Sequence, residues 1–201
     1  MAATDDEKPV RSPLRLGWYG VLRCARTLDL LEELACAFPS ELQIVSAGQP
    51  ALTQVPDFYE RIEALDNFCY AGPYKAPEDL AALYADVDLV WAGDFYQAGY
   101  NSKWLLPNRL YEGGYYGVPA IAPAESETGN WIAKREVGFV VPEPIESSLR
   151  YLMDNLIENK TSITDLRENL LELTEDTFIQ PESQLTDMVA KALSNFEVRN
   201  A

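Results

Sequence analysis

The chain contains no histidine and only three cysteines, Cys24, Cys36 and Cys69, none at metal-ligand spacing. The missing histidine removes the commonest general base, the serine–histidine–aspartate arrangement and most zinc sites. An odd count of unpaired cysteines fits a reducing compartment with buried thiols rather than a disulfide framework. No apolar run reaches membrane-spanning length, and the amino terminus lacks a signal-peptide pattern. Cations are scarce: 16 Lys and Arg stand against 32 Asp and Glu, for a net charge of −16, with much of the acid after Glu143. That balance makes the chain a poor partner for nucleic acid or anionic lipid, and its plain consequence is solubility. An anionic ligand would need a pocket made locally positive by a few arginines and helix amino termini. The phosphate-loop patterns GxxxxGK[ST] and GxGxxG are also absent, which weighs against ATPase and dehydrogenase chemistry.

The 201 residues suit one domain, at most with an appendage. Residues 1–13 are polar, charged and interrupted by proline, and read as a disordered lead-in or the remnant of a linker, leaving 14–201 as the domain. From there, short β-rich runs alternate with helical periodicity. Strands are expected at 14–19, 42–47, 67–71, 87–92, 118–122 and 138–141. Helices are expected at 27–38, 56–65, 77–86, 108–116 and 128–135, then from Ile145 onward, with a last helix at about 182–196. Such alternation predicts an α/β, Rossmann-like, three-layer domain with a parallel sheet of about six strands and a helical carboxyl-terminal tail. Ligands of such sheets bind beyond the carboxyl ends of the strands, which here are marked by Gly20, Gly48, Gly72 and Gly93.

Two segments could carry chemistry. In the loop from Gly20 to Arg26, two guanidiniums, Arg23 and Arg26, fall beside a helix amino terminus and are suited to a diphosphate, or else simply face solvent. In NSKWLLPNRLYEGGYYGVPAIA, Glu112 lies on a short helix between Pro107 and Gly117. Its carboxylate could accept both hydroxyls of a vicinal diol such as ribose, or could pair with Arg109 three residues earlier. The glycines that follow, Gly113 and Gly114, are unfavourable in a helix and imply close approach of a neighbouring strand or a ligand. Tyr96, Tyr100, Tyr115 and Tyr116 could stack on sugar or base, or pack within the protein.

From Leu14 to about Phe196 the sequence resembles the carboxyl-terminal domain of a GT-B glycosyltransferase of the large group called family 4. The strand ending in glycine with cations after it, NFCYAGPYKAPEDLAALYADVDLVWAG, PNRLYEGGYYGVPAIA and ETGNWIAKREVGFVV come in that family's order. The PNRLYEGG segment is similar to the P-x-K-x-x-E-x-x-x-x-G-x-P-x-x-A signature, and the NSKWLLPNRLYEGG wording is like bacterial exopolysaccharide enzymes, succinoglycan biosynthesis glycosyltransferases among them. The resemblance implies ribose binding by Glu112 and diphosphate binding by Arg23 and Arg26. It also implies phosphate contacts from backbone amides near Leu105 and Leu106, and a base-facing loop at Tyr74. It implies no metal or other cofactor, a UDP-sugar as substrate, and a lipid-linked or polysaccharide acceptor. It further implies a cytoplasmic location, at the inner face of the cell membrane.

Two departures stand out. The family's E-x7-E motif would place an acid where Trp104 stands, with Asp94 or Glu125 as possible spatial substitutes. The family's acceptor-binding half has no counterpart here, so this half is expected to bind donor but turn over poorly alone, working with a missing amino-terminal domain or a separate subunit. A non-catalytic scaffold that kept the fold, and a nucleotide-sugar epimerase, are the alternatives.

Overall fold

In the computed structural model, which describes residues 9–180 and Thr186, six strands form one sheet in the order β3-β2-β1-β4-β5-β6. They are β1 (Leu14–Leu22), β2 (Leu42–Pro50), β3 (Phe68–Tyr70), β4 (Leu89–Trp91), β5 (Ala120–Pro123) and β6 (Gly138–Val141). Every pairing is parallel. The longest ladder runs in register from Leu14 opposite Leu42 to Leu22 opposite Pro50. Strands buried on both faces read as continuous apolar runs, and the sequence of β1, β2, β4 and β5 has that character.

Alternation divides the core into two layers. Leu14, Leu16, Trp18, Ile44, Leu89, Trp91 and Ile121 pack on one face. They meet α1 (Ala25–Ala37), α2 (Phe58–Glu63) and α7 (Ile145–Glu158) through Leu28, Leu31, Phe58, Ile62, Leu149 and Met153. Tyr19, Val45, Val90, Ala120 and Ala122 pack on the other face. There they meet α3 (Leu80–Ala85), α5 (Asn108–Tyr115) and α6 (Glu127–Arg135) through Leu80, Tyr84, Leu110 and Ile132. The expected three-layer α/β domain is therefore present.

Differences from the sequence expectation are local. Strands β1 and β2 run past Gly20 and Gly48 to residues 22 and 50. The reason is a backbone pairing of the two glycines, both at positive φ; a Cβ on Gly48 would stand 2.0 Å from the Gly20 carbonyl oxygen. Helix α3 begins at Leu80, because residues 76–79 form a turn instead of its first turn. Helix α4 (Asn101–Trp104) was not expected: four residues carry no readable period. Helix α6 begins at Glu127, one residue earlier than expected, where the Ser126 hydroxyl accepts from the Gly129 amide at 3.0 Å. The helical stretch after Ile145 divides into α7 and α8 (Thr161–Glu172), with a short 3-10 turn at Glu175–Thr177. The helix expected at 182–196 lies outside the described residues. Of the 1–13 lead-in, residues 9–13 are described, and Arg11 donates to the carboxylate of Asp88 at 3.3 Å.

Candidate functional site

The strand order reverses between β1 and β4, so the loops leaving their carboxyl ends diverge and leave a crevice. A cleft of about 490 Å³ lies there. Its walls come from Gly20 near the end of β1 and Arg23 just after it, Gln49 at the end of β2, Tyr74 after β3, Asp94 after β4, and the segment entering α5. Four consecutive carboxyl ends thus contribute to one cavity.

Of the residues singled out in the sequence, Arg23, Tyr74, Leu105, Leu106 and Glu112 line this cleft together. Arg26 does not share it. Its guanidinium lies 4.4 Å over the Phe95 ring and pairs with Glu143 at 3.4 Å and Glu146 at 3.1 Å. Proximity in sequence placed the two arginines together; Arg26 sits within α1, and a turn about the helix axis carries its side chain toward α7. Arg23 lies on the preceding loop, 4.6 Å from the Tyr96 ring centre and 3.7 Å from a carboxylate oxygen of Asp94.

The Leu105 amide is already engaged, donating to the Asn101 carbonyl at 2.9 Å as α4 ends, while the Leu105 carbonyl accepts from the Thr128 hydroxyl at 2.8 Å. The backbone next enters α5 through Pro107, which turns the amino end of that helix into the cleft beside Asn108 and Arg109. That end carries partial positive charge.

Glu112 is half-buried one turn further along α5. The Tyr84 hydroxyl donates to its Oε2 at 2.8 Å. Burial raises the carboxyl pKa above the usual range, opposed by the Tyr84 hydrogen bond and by Arg109. Arg109 forms no ion pair with Glu112 among the described residues. Its Nε donates to the Trp91 carbonyl at 2.8 Å and its Nη2 to the Gly93 carbonyl at 2.6 Å. It therefore fastens α5 to the end of β4 and leaves a guanidinium charge on the cleft floor. Burial lowers its pKa, with Asp94 opposing, yet a guanidinium remains cationic. The same side of the cleft holds Tyr74, whose hydroxyl is pushed up by burial and then by Glu112.

Sequence reasoning did not select Arg109 as a site residue, because a cation three residues before a glutamate reads as its helical partner. Its place in the PNRLYE signature was the available signal. The two glycines after Glu112 answer to packing rather than to a ligand: a Cβ on Gly113 would meet Val90 at 3.0 Å, and one on Gly114 would meet the Phe178 ring at 2.2 Å. Trp104 is largely exposed on α4; of the two other acids, Asp94 lines the cleft and Glu125 is exposed on the turn after β5. Among the described residues no group of three or more His, Cys, Asp or Glu side chains is placed to hold a metal ion.

Succinoglycan biosynthesis protein ExoL of Rhizobium meliloti is 38% identical over 151 residues, which make up 75% of this chain and 38% of that protein. HepE of Anabaena, solved with UDP and glucose, superposes with a TM-score of 0.68 at 16% identity, over 90% of this chain and 48% of that one. The carboxyl-terminal domain of a glycosyl transferase group 1 family protein, LpcC, from Francisella tularensis superposes with a TM-score of 0.61 at 16% identity. That match covers 80% of this chain and 84% of the other, so the likeness is to one whole domain. The fold is that of a GT-B carboxyl-terminal domain. No family model matches the sequence. The chain spans 38% of the length of the curated relative it matches, and about half of HepE.

Proposed function

We propose that this chain is the donor-binding half of a glycosyltransferase of bacterial exopolysaccharide biosynthesis, and that its cleft holds a nucleoside diphosphate sugar. The observation that carries this reading is the meeting of Arg23, Arg109, the amino end of α5 and Glu112 in one cavity at the switch in strand order. The likeness to a succinoglycan biosynthesis protein supports the pathway class, and the UDP and UDP-glucose complexes of HepE support a uridine nucleotide. Both favour this reading over a scaffold or an epimerase.

The diphosphate lies against Arg23 and the first turn of α5, with the Arg109 charge behind it. Fixed cations and helix amides aimed at the leaving group stabilise the negative charge that builds there as the glycosidic bond to phosphate breaks. Glu112 accepts from the ribose hydroxyls, and Tyr74 borders the base. Arg26, held by Glu143 and Glu146, stands outside this arrangement. The acceptor, lipid-linked or polysaccharide, is bound by a further domain or subunit at the cytoplasmic face of the membrane; among the described residues no helix is long and apolar enough to cross one.

Thermal unfolding with UDP, UDP-glucose and GDP tests the reading. Ligand at a hundredfold excess over its dissociation constant should stabilise the chain by about 2.7 kcal/mol. Uridine nucleotides should give this shift and Glu112→Ala should abolish it. No shift with any nucleotide, or an undiminished shift in Glu112→Ala, contradicts the proposal.

A further inference from the structure

Tyr84 occupies an unusual place for a phenol. It is fully buried on α3, with its ring edge-on to Tyr19 at 5.3 Å and parallel to Tyr116 at 5.7 Å. Tyr19 is itself buried and donates to the Leu83 carbonyl at 3.2 Å. Phenylalanine would satisfy all of this packing, because each ring contact is apolar. What it would not supply is the hydroxyl, which crosses from α3 to α5 and donates to Glu112 Oε2 at 2.8 Å. A buried phenol is stable when its O–H finds an acceptor, and a carboxylate gives the stronger form of that bond.

The bond has a consequence for the carboxylate. Glu112 stands between the nucleotide cleft and a second cavity of about 440 Å³, lined by Pro77, Tyr111, Tyr115 and Phe178 on the outer side of α5. A glutamate side chain has enough rotamers to turn into either. Tyr84 removes that freedom by fixing one oxygen. The other, Oε1, has no partner among the described residues.

We infer that Tyr84 is the positioning residue of the site, committing one oxygen of Glu112 so that the other is presented to the ligand in a single orientation. The inference rests on the nucleotide reading for the identity of the ligand, but not for the pairing. With Oε2 engaged by Tyr84, the ligand contact is assigned to the unpartnered oxygen, Oε1. The groups facing the carboxylate are Tyr84 from α3, Arg109 from α5 and Tyr74 from the loop after β3. Tyr84 and Arg109 favour its charged form, and burial opposes it.

Tyr84→Phe isolates the hydroxyl. Two readouts separate pairing from binding. First, the Glu112 carboxyl carbon is titrated by NMR without ligand; it should titrate at higher pH in Tyr84→Phe than in the wild type. Second, UDP-glucose affinity is measured by calorimetry from about pH 5 to about pH 8, a range over which this diester keeps its charge. The variant should bind about tenfold more weakly at neutral pH, as expected for loss of one hydrogen bond to a charged group. Its loss of affinity on acidification should begin at higher pH. In the wild type alone, the buried Tyr84 hydroxyl proton should appear as a slowly exchanging signal that moves with the Glu112 titration, a test that needs no variant. An unchanged titration overturns the pairing, and a shifted titration with unchanged affinity overturns the positioning role. A shifted titration in a protein that takes up no UDP-glucose overturns the nucleotide reading and leaves the pairing standing.

Discussion

Two acidic side chains at opposite ends of the sheet have opposite fates. Asp88 precedes β4 at the amino end and is fully buried. One of its oxygens accepts from the Arg15 amide at 3.0 Å, and the other from Arg11 at 3.3 Å and Arg167 at 2.9 Å. Glu112 stands at the carboxyl end, is half-buried, and has one oxygen bonded by Tyr84. A buried carboxylate surrounded by donors has nothing left to offer a ligand, and its work is to tie the segment before β1, β4 and α8 together. A carboxylate that burial disfavours and one phenol holds is poised to accept further donors. The difference teaches that burial alone does not mark a site; unfilled hydrogen-bonding capacity beside a cavity does.

Substitutions should divide along the same line. Asp88→Ala leaves two guanidiniums and an amide without their acceptor, and should cost about 3–5 kcal/mol of stability in urea unfolding. The nucleotide affinity of its folded fraction should stay as in the wild type. A variant equally stable, or one that loses affinity while folded, breaks the comparison. Arg23→Glu should do the reverse: stability nearly unchanged, UDP weakened by about 1.5–3 kcal/mol, or roughly ten- to hundredfold, and uridine scarcely affected. Equal effects on UDP and uridine would argue against a phosphate contact at Arg23. Arg26→Ala removes exposed ion pairs and should change stability by no more than about 1 kcal/mol, with UDP affinity within about threefold of wild type. A larger loss of affinity would return Arg26 to the site.

The smallest effect concerns pH. Burial raises the Glu112 pKa in the folded chain above its unfolded value. Protonated Glu112 therefore favours the fold, fully below the unfolded pKa, and that contribution is lost as pH rises through the folded one. Glu112→Gln should consequently be slightly more stable than wild type at neutral pH, with the gain fading on acidification. Stability curves that stay parallel across the range would mean that the carboxylate is not disfavoured in the folded state.

Much of the fold could be read from the residues because each strand carries its own signal. The run before Gly93 is apolar but for Asp88, and the leucines of α1 recur at helical spacing. The order of elements then leaves few topologies, and the position of the cleft follows from where the strand order reverses. The cleft side of Arg23, Tyr74 and Glu112 was legible for that reason. The divergence of Arg26 was not, since loop and helix residues three apart look alike until the helix phase is known. Arg109 entered only as an alternative partner of Glu112, because spacing along a helix says nothing of the carbonyls at the end of a neighbouring strand. Tyr84 could be placed on the apolar face of α3, but the destination of its hydroxyl depends on the packing of α3 against α5.

The central claim is that the cleft between β1 and β4 binds a nucleoside diphosphate through Arg23 and Glu112. A crystal structure of this chain grown with UDP tests it most directly. The account predicts the diphosphate against Arg23 and the amino end of α5, with a ribose hydroxyl on Glu112 Oε1. UDP seated instead in the cavity lined by Tyr111 and Phe178, or a nucleotide whose phosphates touch neither Arg23 nor α5, would contradict it.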